Sequence, residues 1–80
     1  MYYVYILQDQ KKKLYKGSTM DLKKRVISHN SGKIRSTKNE RPWKLIYYEA
    51  FISKRLARKE ELFLKSGKGR ERIRYLLELD

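Results

Sequence analysis

Apolar positions open the chain without a gap. Residues 2 to 7, Tyr-Tyr-Val-Tyr-Ile-Leu, are all β-branched, aromatic or aliphatic, and a second run, Leu14-Tyr-Lys-Gly-Ser-Thr19, sets Leu14 and Tyr15 ahead of a glycine and two hydroxyl residues. Both compositions are those of strands. Between them, Gln8 to Lys13 offers no side chain worth burying and is long enough for a hairpin loop, so the two runs are expected to pair antiparallel. Side chains alternate along a strand, which puts Tyr3 and Tyr5 on one face, Val4 and Ile6 on the other, and Tyr15 with Gly17 on one face of the second strand. Two tyrosines from neighbouring strands can then meet beside a glycine.

Downstream the period changes from two to nearly four. Ser18-Thr-Met-Asp21 has the form of a capping box with Ser18 as the cap, and a helix is expected from about Met20 to Asn30, stopped by Gly32. Leu22 and Val26 mark its buried face, and Arg25 and His29 stack one turn apart on the flank of that stripe, emerging near the sheet. Gly32 to Arg41 is polar, basic and aperiodic, the longest expected loop. Pro42-Trp43 ends it, and Lys44 to Phe51 is a third strand. Ser53 caps a helix over about Lys54 to Ser66, Ser66-Gly-Lys-Gly69 breaks it, and a last amphipathic helix runs from about Arg70 to Leu79. The order β-β-α-β-α-α gives an α+β fold, a small three-stranded antiparallel sheet packed by three helices. Eighty residues suit one domain over positions 1–80, held by packing alone, because the chain has no cysteine and so neither disulfides nor thiolate metal sites.

Charge changes the picture most. Twenty-one Lys and Arg stand against nine Asp and Glu, a formal net charge of +12. Self-repulsion at this density calls for a polyanionic partner, and nucleic acid is expected. The basic residues are spread along the chain rather than gathered on one bulky amphipathic helix, which argues against a membrane surface, and no apolar run is long enough to span a bilayer. The apolar start is too short and aromatic for a signal peptide, so a cytoplasmic location is expected. Within the long loop, Lys33, Arg35, Lys38 and Arg41, with Ser36 and Thr37 as neutral donors, form a candidate phosphate-binding set.

The two opening strands, read as Tyr3-Val4-Tyr5 and Tyr15-Lys16-Gly17, resemble the paired signatures of the GIY-YIG nuclease superfamily. The spacing downstream extends the likeness over nearly the whole chain. Arg25 falls eight residues after Gly17 and His29 four after that, where the family carries an arginine and then a histidine or tyrosine; Ala57 to Glu61 matches the step from a small residue to the family's metal-binding glutamate. The chain departs from the pattern in three ways. Tyr3 replaces the first glycine, Lys16 replaces the central aliphatic residue, and no late asparagine has a clear counterpart. The extra DNA-binding domain usual in the family is also missing, which leaves sequence specificity unassigned.

The resemblance implies an endonuclease that hydrolyses DNA phosphodiester bonds, selective for DNA structure such as branches or flaps, with a role in DNA repair. It implies Tyr5 as the base that takes a proton from water, Tyr15 as an orienting group, and Glu61 as the metal ligand, with Glu60 in reserve because it lies nearer the middle of the Leu56-Phe63-Leu64 stripe. General chemistry fits these parts. Arg25 offers a permanently charged fork to the scissile phosphate. His29, with an ordinary pKa near 6.5, can accept a proton from a tyrosine whose ordinary value is near 10. One carboxylate without a histidine or thiolate cluster suits Mg²⁺ or Mn²⁺, which keep most of their waters. Backbone N–H groups beside Gly17 and Ser18, at the expected helix start, are a further phosphate contact. No organic cofactor is expected, and nothing identifies a protein partner. A non-catalytic DNA- or RNA-binding domain on the same scaffold is the alternative.

Overall fold

The structure is a computed structural model that describes residues 1–78. Its elements follow the expected order: β1 (Tyr2–Gln8), β2 (Leu14–Thr19), α1 (Leu22–Asn30), a 3-10 turn (Lys38–Glu40), β3 (Lys44–Phe51), α2 (Lys54–Leu64) and α3 (Gly67–Leu77). The sheet is antiparallel in the order β2-β1-β3, so the most apolar strand lies in the centre. Val4, Tyr5, Ile6 and Leu7 are all buried, because both faces of β1 are covered. Val4 and Ile6 pack with Ala57 and Leu64 of α2 and Ile73 of α3; Tyr5 and Leu7 pack with Trp43, Tyr15, and Leu22 and Val26 of α1. The result is α1, sheet, then α2 with α3: an α+β architecture. Between Ile6 and Leu7 the pairing with β3 slips by one residue. This bulge turns Leu45 toward Leu7 while Ile46 and Tyr47 join the opposite core. Among the described residues no helix is long and apolar enough to cross a membrane.

Several local expectations are corrected. Helix α1 starts at Leu22, capped by Asp21, whose carboxylate accepts from the Lys24 backbone N–H at 3.0 Å. Ser18 remains in β2, because strand pairing with β1 runs through Thr19, and the capping box does not form. The Gly-Lys-Gly stretch does not interrupt the helices at length: Ser66 caps α3 by accepting from Gly69 N–H, and the glycines lie in the first turn. A Cβ on Gly69 would run into the Phe63 carbonyl, so glycine there permits the tight corner between α2 and α3. The expected end at Leu79 lies outside the described residues. In the hairpin loop, Asp9 is buried, contrary to expectation, and its Oδ1 accepts from Lys11 N–H at 2.9 Å and Lys13 N–H at 2.7 Å. In the long loop, Thr37 is fully buried rather than presented to a phosphate.

Candidate active site

Tyr5 and Gly17 are direct partners across β1 and β2. A Cβ on residue 17 would stand 2.6 Å from the Tyr5 hydroxyl oxygen and 2.7 Å from Cζ, so only glycine lets the Tyr5 ring lie across the second strand. That ring is edge-on to His29, which is fully buried in the last turn of α1. The Tyr5 hydroxyl lies 2.8 Å from His29 Nε2, and His29 Nδ1 lies 2.7 Å from Thr37 Oγ1. Thr37 in turn donates to the Ile34 carbonyl at 3.4 Å. With its proton so committed, the threonine oxygen accepts from Nδ1–H, which assigns Nε2 as the acceptor for the Tyr5 hydroxyl. The Tyr15 ring packs 4.9 Å from the imidazole and 6.4 Å from the Tyr5 ring. Trp43 closes the group by donating from Nε1 to the Thr37 carbonyl at 2.8 Å.

Electrostatics set the protonation of this chain. Burial, and secondly Tyr15, push the Tyr5 phenol above its ordinary range; Arg25 pulls it down and Glu61 opposes. Burial, reinforced by Arg25, lowers His29. At neutral pH the pair is therefore a phenol donating to a neutral imidazole. Arg25 favours the phenolate, but desolvation outweighs it. A water approaching Tyr5 meets an oxygen whose proton already points at an acceptor.

Glu61 reaches β2 from α2, on the face of the sheet opposite the Tyr5 ring. It is 5% exposed, and its Oε1 accepts from Ser18 Oγ at 2.7 Å. Arg58 Nη1 also donates to Oε1, at 3.1 Å, and Lys65 Nζ donates to Oε2 at 2.9 Å. Burial disfavours its charge, but the bonds from Ser18, Lys65 and Arg58 more than offset this and hold the carboxyl below its ordinary range. Glu60 instead meets Arg72 at 2.8 Å. The buried residues of α2 are Ala57, Glu61 and Leu64, with Phe63 exposed, so the face assumed for Glu60 belongs to Glu61.

Arg25 is exposed on α1 and lines a cavity of about 350 Å³ with Tyr2, Ser18, Thr19, Asp21, Lys54 and Ala57. Of the five expected catalytic residues only Arg25 lines this cavity; Tyr5, Tyr15 and His29 form their own cluster, and Glu61 meets Ser18 from α2, although Tyr5 feels the charges of both Arg25 and Glu61. The helix end expected beside Gly17 and Ser18 does not lie there, since α1 begins at Leu22 behind the Asp21 carboxylate; Gly17 is buried and the Ser18 hydroxyl is spent on Glu61. Lys33, Arg35 and Lys38 are exposed on the long loop, outside the cavity. Arg41 is exposed too, but its Nε donates to the Lys38 carbonyl at 2.7 Å and its guanidinium lies over Gly32, where a Cβ would stand 2.8 Å from Nη1. Sequence reasoning missed the role of Thr37 against His29; Lys16, on β2, has its ammonium held below the ordinary lysine range by burial and by Arg70 and Lys65.

Among the described residues no group of three or more His, Cys, Asp or Glu is gathered for a metal. Glu61 with the Ser18 hydroxyl is an all-oxygen pair, which fits a hard divalent cation that keeps its waters and takes a phosphate oxygen, and does not fit a dedicated protein cage. Arg58 and Lys65 would have to swing aside, and both extend into solvent.

Residues 1–74 match the family model described as the GIY-YIG catalytic domain. UPF0213 proteins of Streptococcus pyogenes serotype M5 (strain Manfredo) and serotype M28 (strain MGAS6180) are 42% identical over 76 residues, covering 92% of this chain and 83% of each relative. The solution NMR structure of a UPF0213 protein from Bacillus halodurans superimposes with a TM-score of 0.58 at 35% identity, covering 95% of this chain and 85% of that one.

Proposed function

The chain belongs to the GIY-YIG catalytic domain family, a nuclease superfamily, and from that premise we propose that it is a metal-dependent endonuclease acting on DNA, selective for DNA structure rather than sequence. The observation that carries this reading is the relay of Tyr5, His29 and Thr37. It is a complete hydrogen-bond chain in an otherwise apolar core, and it ends at the tyrosine oxygen beside Gly17. Structure could be maintained there by apolar side chains at lower desolvation cost.

Hydrolysis of a phosphodiester needs a nucleophilic water, neutralisation of growing phosphate charge, and support for the leaving oxygen. Tyr5 accepts the water proton as its own passes to His29 Nε2, and Thr37 holds the imidazole in the accepting tautomer. Arg25, exposed at the cavity, grips a non-bridging phosphate oxygen and favours charge on the Tyr5 oxygen. Tyr15 packs on the imidazole and fixes its plane. Glu61 and Ser18 are the residues that would hold Mg²⁺ or Mn²⁺, which supplies Lewis-acid stabilisation of the phosphate. Exposed Lys33, Arg35 and Lys38 lead non-specific phosphate contact, so binding falls steeply with salt. A non-catalytic binding domain is the second reading, favoured by the cations that already neutralise Glu61.

The test is single-turnover cleavage by Tyr5→Phe. The substitution removes one oxygen and keeps the ring, so the domain should fold and bind DNA while cutting falls by at least about 10²-fold, the usual scale of a proton-transfer group. Cutting at the parental rate would reject the relay.

A further inference from the structure

The carboxylate proposed to hold the metal is already satisfied by the protein's own cations. Three donors, Ser18 Oγ, Arg58 Nη1 and Lys65 Nζ, approach its two oxygens at 2.7, 3.1 and 2.9 Å. A carboxylate has about four lone-pair sites, so little is left for a cation, and two adjacent positive charges repel a third, doubly charged one. We infer that Arg58 and Lys65 form an exchangeable cap on Glu61, standing in the cation's place in the free protein and yielding it when phosphates of a bound nucleic acid take up the two side chains. This rests on the reading of Glu61 as the metal ligand.

The placement suits exchange. Arg58 lies three residues before Glu61 and Lys65 four after it, so both project on the same side of α2. Glu61 is buried, whereas the side chains of Arg58 and Lys65 are 61% and 47% exposed, so their heads reach the carboxylate from solvent and can withdraw without opening the core. Ion pairs made from such exposed side chains rearrange readily. Phosphate gives arginine the same bidentate geometry that a carboxylate does, and gives the lysine a more highly charged environment. Lys16 and Arg70 add their charge to that of Lys65, a local crowding that a polyanion relieves. Ser18, fixed on β2, stays behind and keeps Oε1 oriented. Metal and nucleic acid then bind with positive coupling, and the coupling is reciprocal. The bare protein holds its divalent cation poorly, and the metal site forms when nucleic acid is in place.

The experiment measures Mn²⁺ affinity by electron paramagnetic resonance for the parent, an Arg58→Ala/Lys65→Ala variant and Glu61→Gln, each alone and with saturating cleavage-resistant phosphorothioate duplex. Glu61→Gln with duplex supplies the background of Mn²⁺ held by DNA alone. The cap predicts that the double variant without DNA binds Mn²⁺ at least tenfold more tightly than the parent. It also predicts that DNA tightens the parent at least tenfold more than it tightens the double variant, which gains only the phosphate oxygen as a ligand. Thermal melts verify folding, and Lys65→Met, which keeps most of the stem, should show part of the gain if the double variant is too unstable to use. A variant that binds Mn²⁺ no more tightly than the parent overturns the cap while leaving Glu61 as ligand, provided Glu61→Gln is weaker than both. If Glu61→Gln matches the parent in every state, the metal assignment itself falls, and the cap with it.

Discussion

Replacing Gly17 by alanine tests the packing on which the proposed relay depends. The added Cβ would lie 2.6 Å from the Tyr5 hydroxyl oxygen and 2.7 Å from Cζ, well inside contact distance. Tyr5 cannot slide away freely, because it is fully buried in the central strand and its hydroxyl is tied to His29 at 2.8 Å. Overpacking a core of this kind costs about 1–3 kcal/mol. Displacing the hydroxyl leaves a buried polar group without its partner, about 1–3 kcal/mol more. The sum, roughly 2–6 kcal/mol, is a large part of a stability of about 5–15 kcal/mol for a natural domain. A domain of this size loses about 4–8 °C in Tm for each kcal/mol. Urea unfolding and thermal melts followed by circular dichroism give the two values directly. Gly67→Ala is the internal control: a Cβ there would meet nothing within 4 Å and the residue begins a helix, so the change should be neutral or stabilise by about 0.4–1 kcal/mol. If Gly17→Ala melts within experimental error of Gly67→Ala and cuts DNA like the parent, the placement of Tyr5 across Gly17 is wrong.

Thr37→Val keeps the shape of a fully buried residue but removes the oxygen that accepts from His29, so it should cost about 1–3 kcal/mol in urea unfolding and slow cleavage; unchanged stability would show that the imidazole has another partner. Stability should also fall in acid. His29 is held below its ordinary pKa near 6.5, so the unfolded chain takes up its proton first; the stability carried by the neutral ring is complete above about pH 6.5 and lost as pH falls through the depressed folded value. Urea midpoints between about pH 8 and 5 should drop more in the parent than in His29→Gln, and equal slopes would contradict the burial. Replacing Lys33, Arg35 and Lys38 together by Ala should flatten the slope of log affinity against log salt by about two to three units, and an unchanged slope would remove this loop from the interface.

The parts of the fold that were readable are those set by nearest neighbours. Lys44 to Phe51 is a strand from end to end because Pro42 blocks extension before it and the run is β-branched and aromatic. The junctions were less readable. Ser18 and Asp21 are both good caps, and the choice fell to Asp21 because pairing with β1 holds Ser18 in the strand. Gly69 looks like a breaker by propensity, yet it is needed inside the first turn of α3 because another backbone passes against it. In the candidate site, one helical turn relates Arg25 to His29, yet Arg25 is exposed and His29 fully buried, and the choice of Glu61 rests on family spacing. The period of α2 alone points to Glu60, because it counts Phe63 in the apolar stripe, and Phe63 is exposed. Thr37 and Asp9 are polar residues in loops, and nothing local shows that one will be buried under an imidazole and the other against its own loop's N–H groups. Burial of such groups is decided by partners that only the folded chain brings near.

The most direct test of the nuclease assignment is cleavage of end-labelled linear, flap and branched DNA in Mg²⁺, Mn²⁺ or EDTA, with Glu61→Gln run beside the parent. The predicted result is metal-dependent cutting, strongest on one of the non-linear substrates, abolished by EDTA and by Glu61→Gln while DNA binding persists. Tight binding of all three DNAs with no cutting in either metal would contradict it and leave a nucleic-acid-binding domain on a nuclease scaffold.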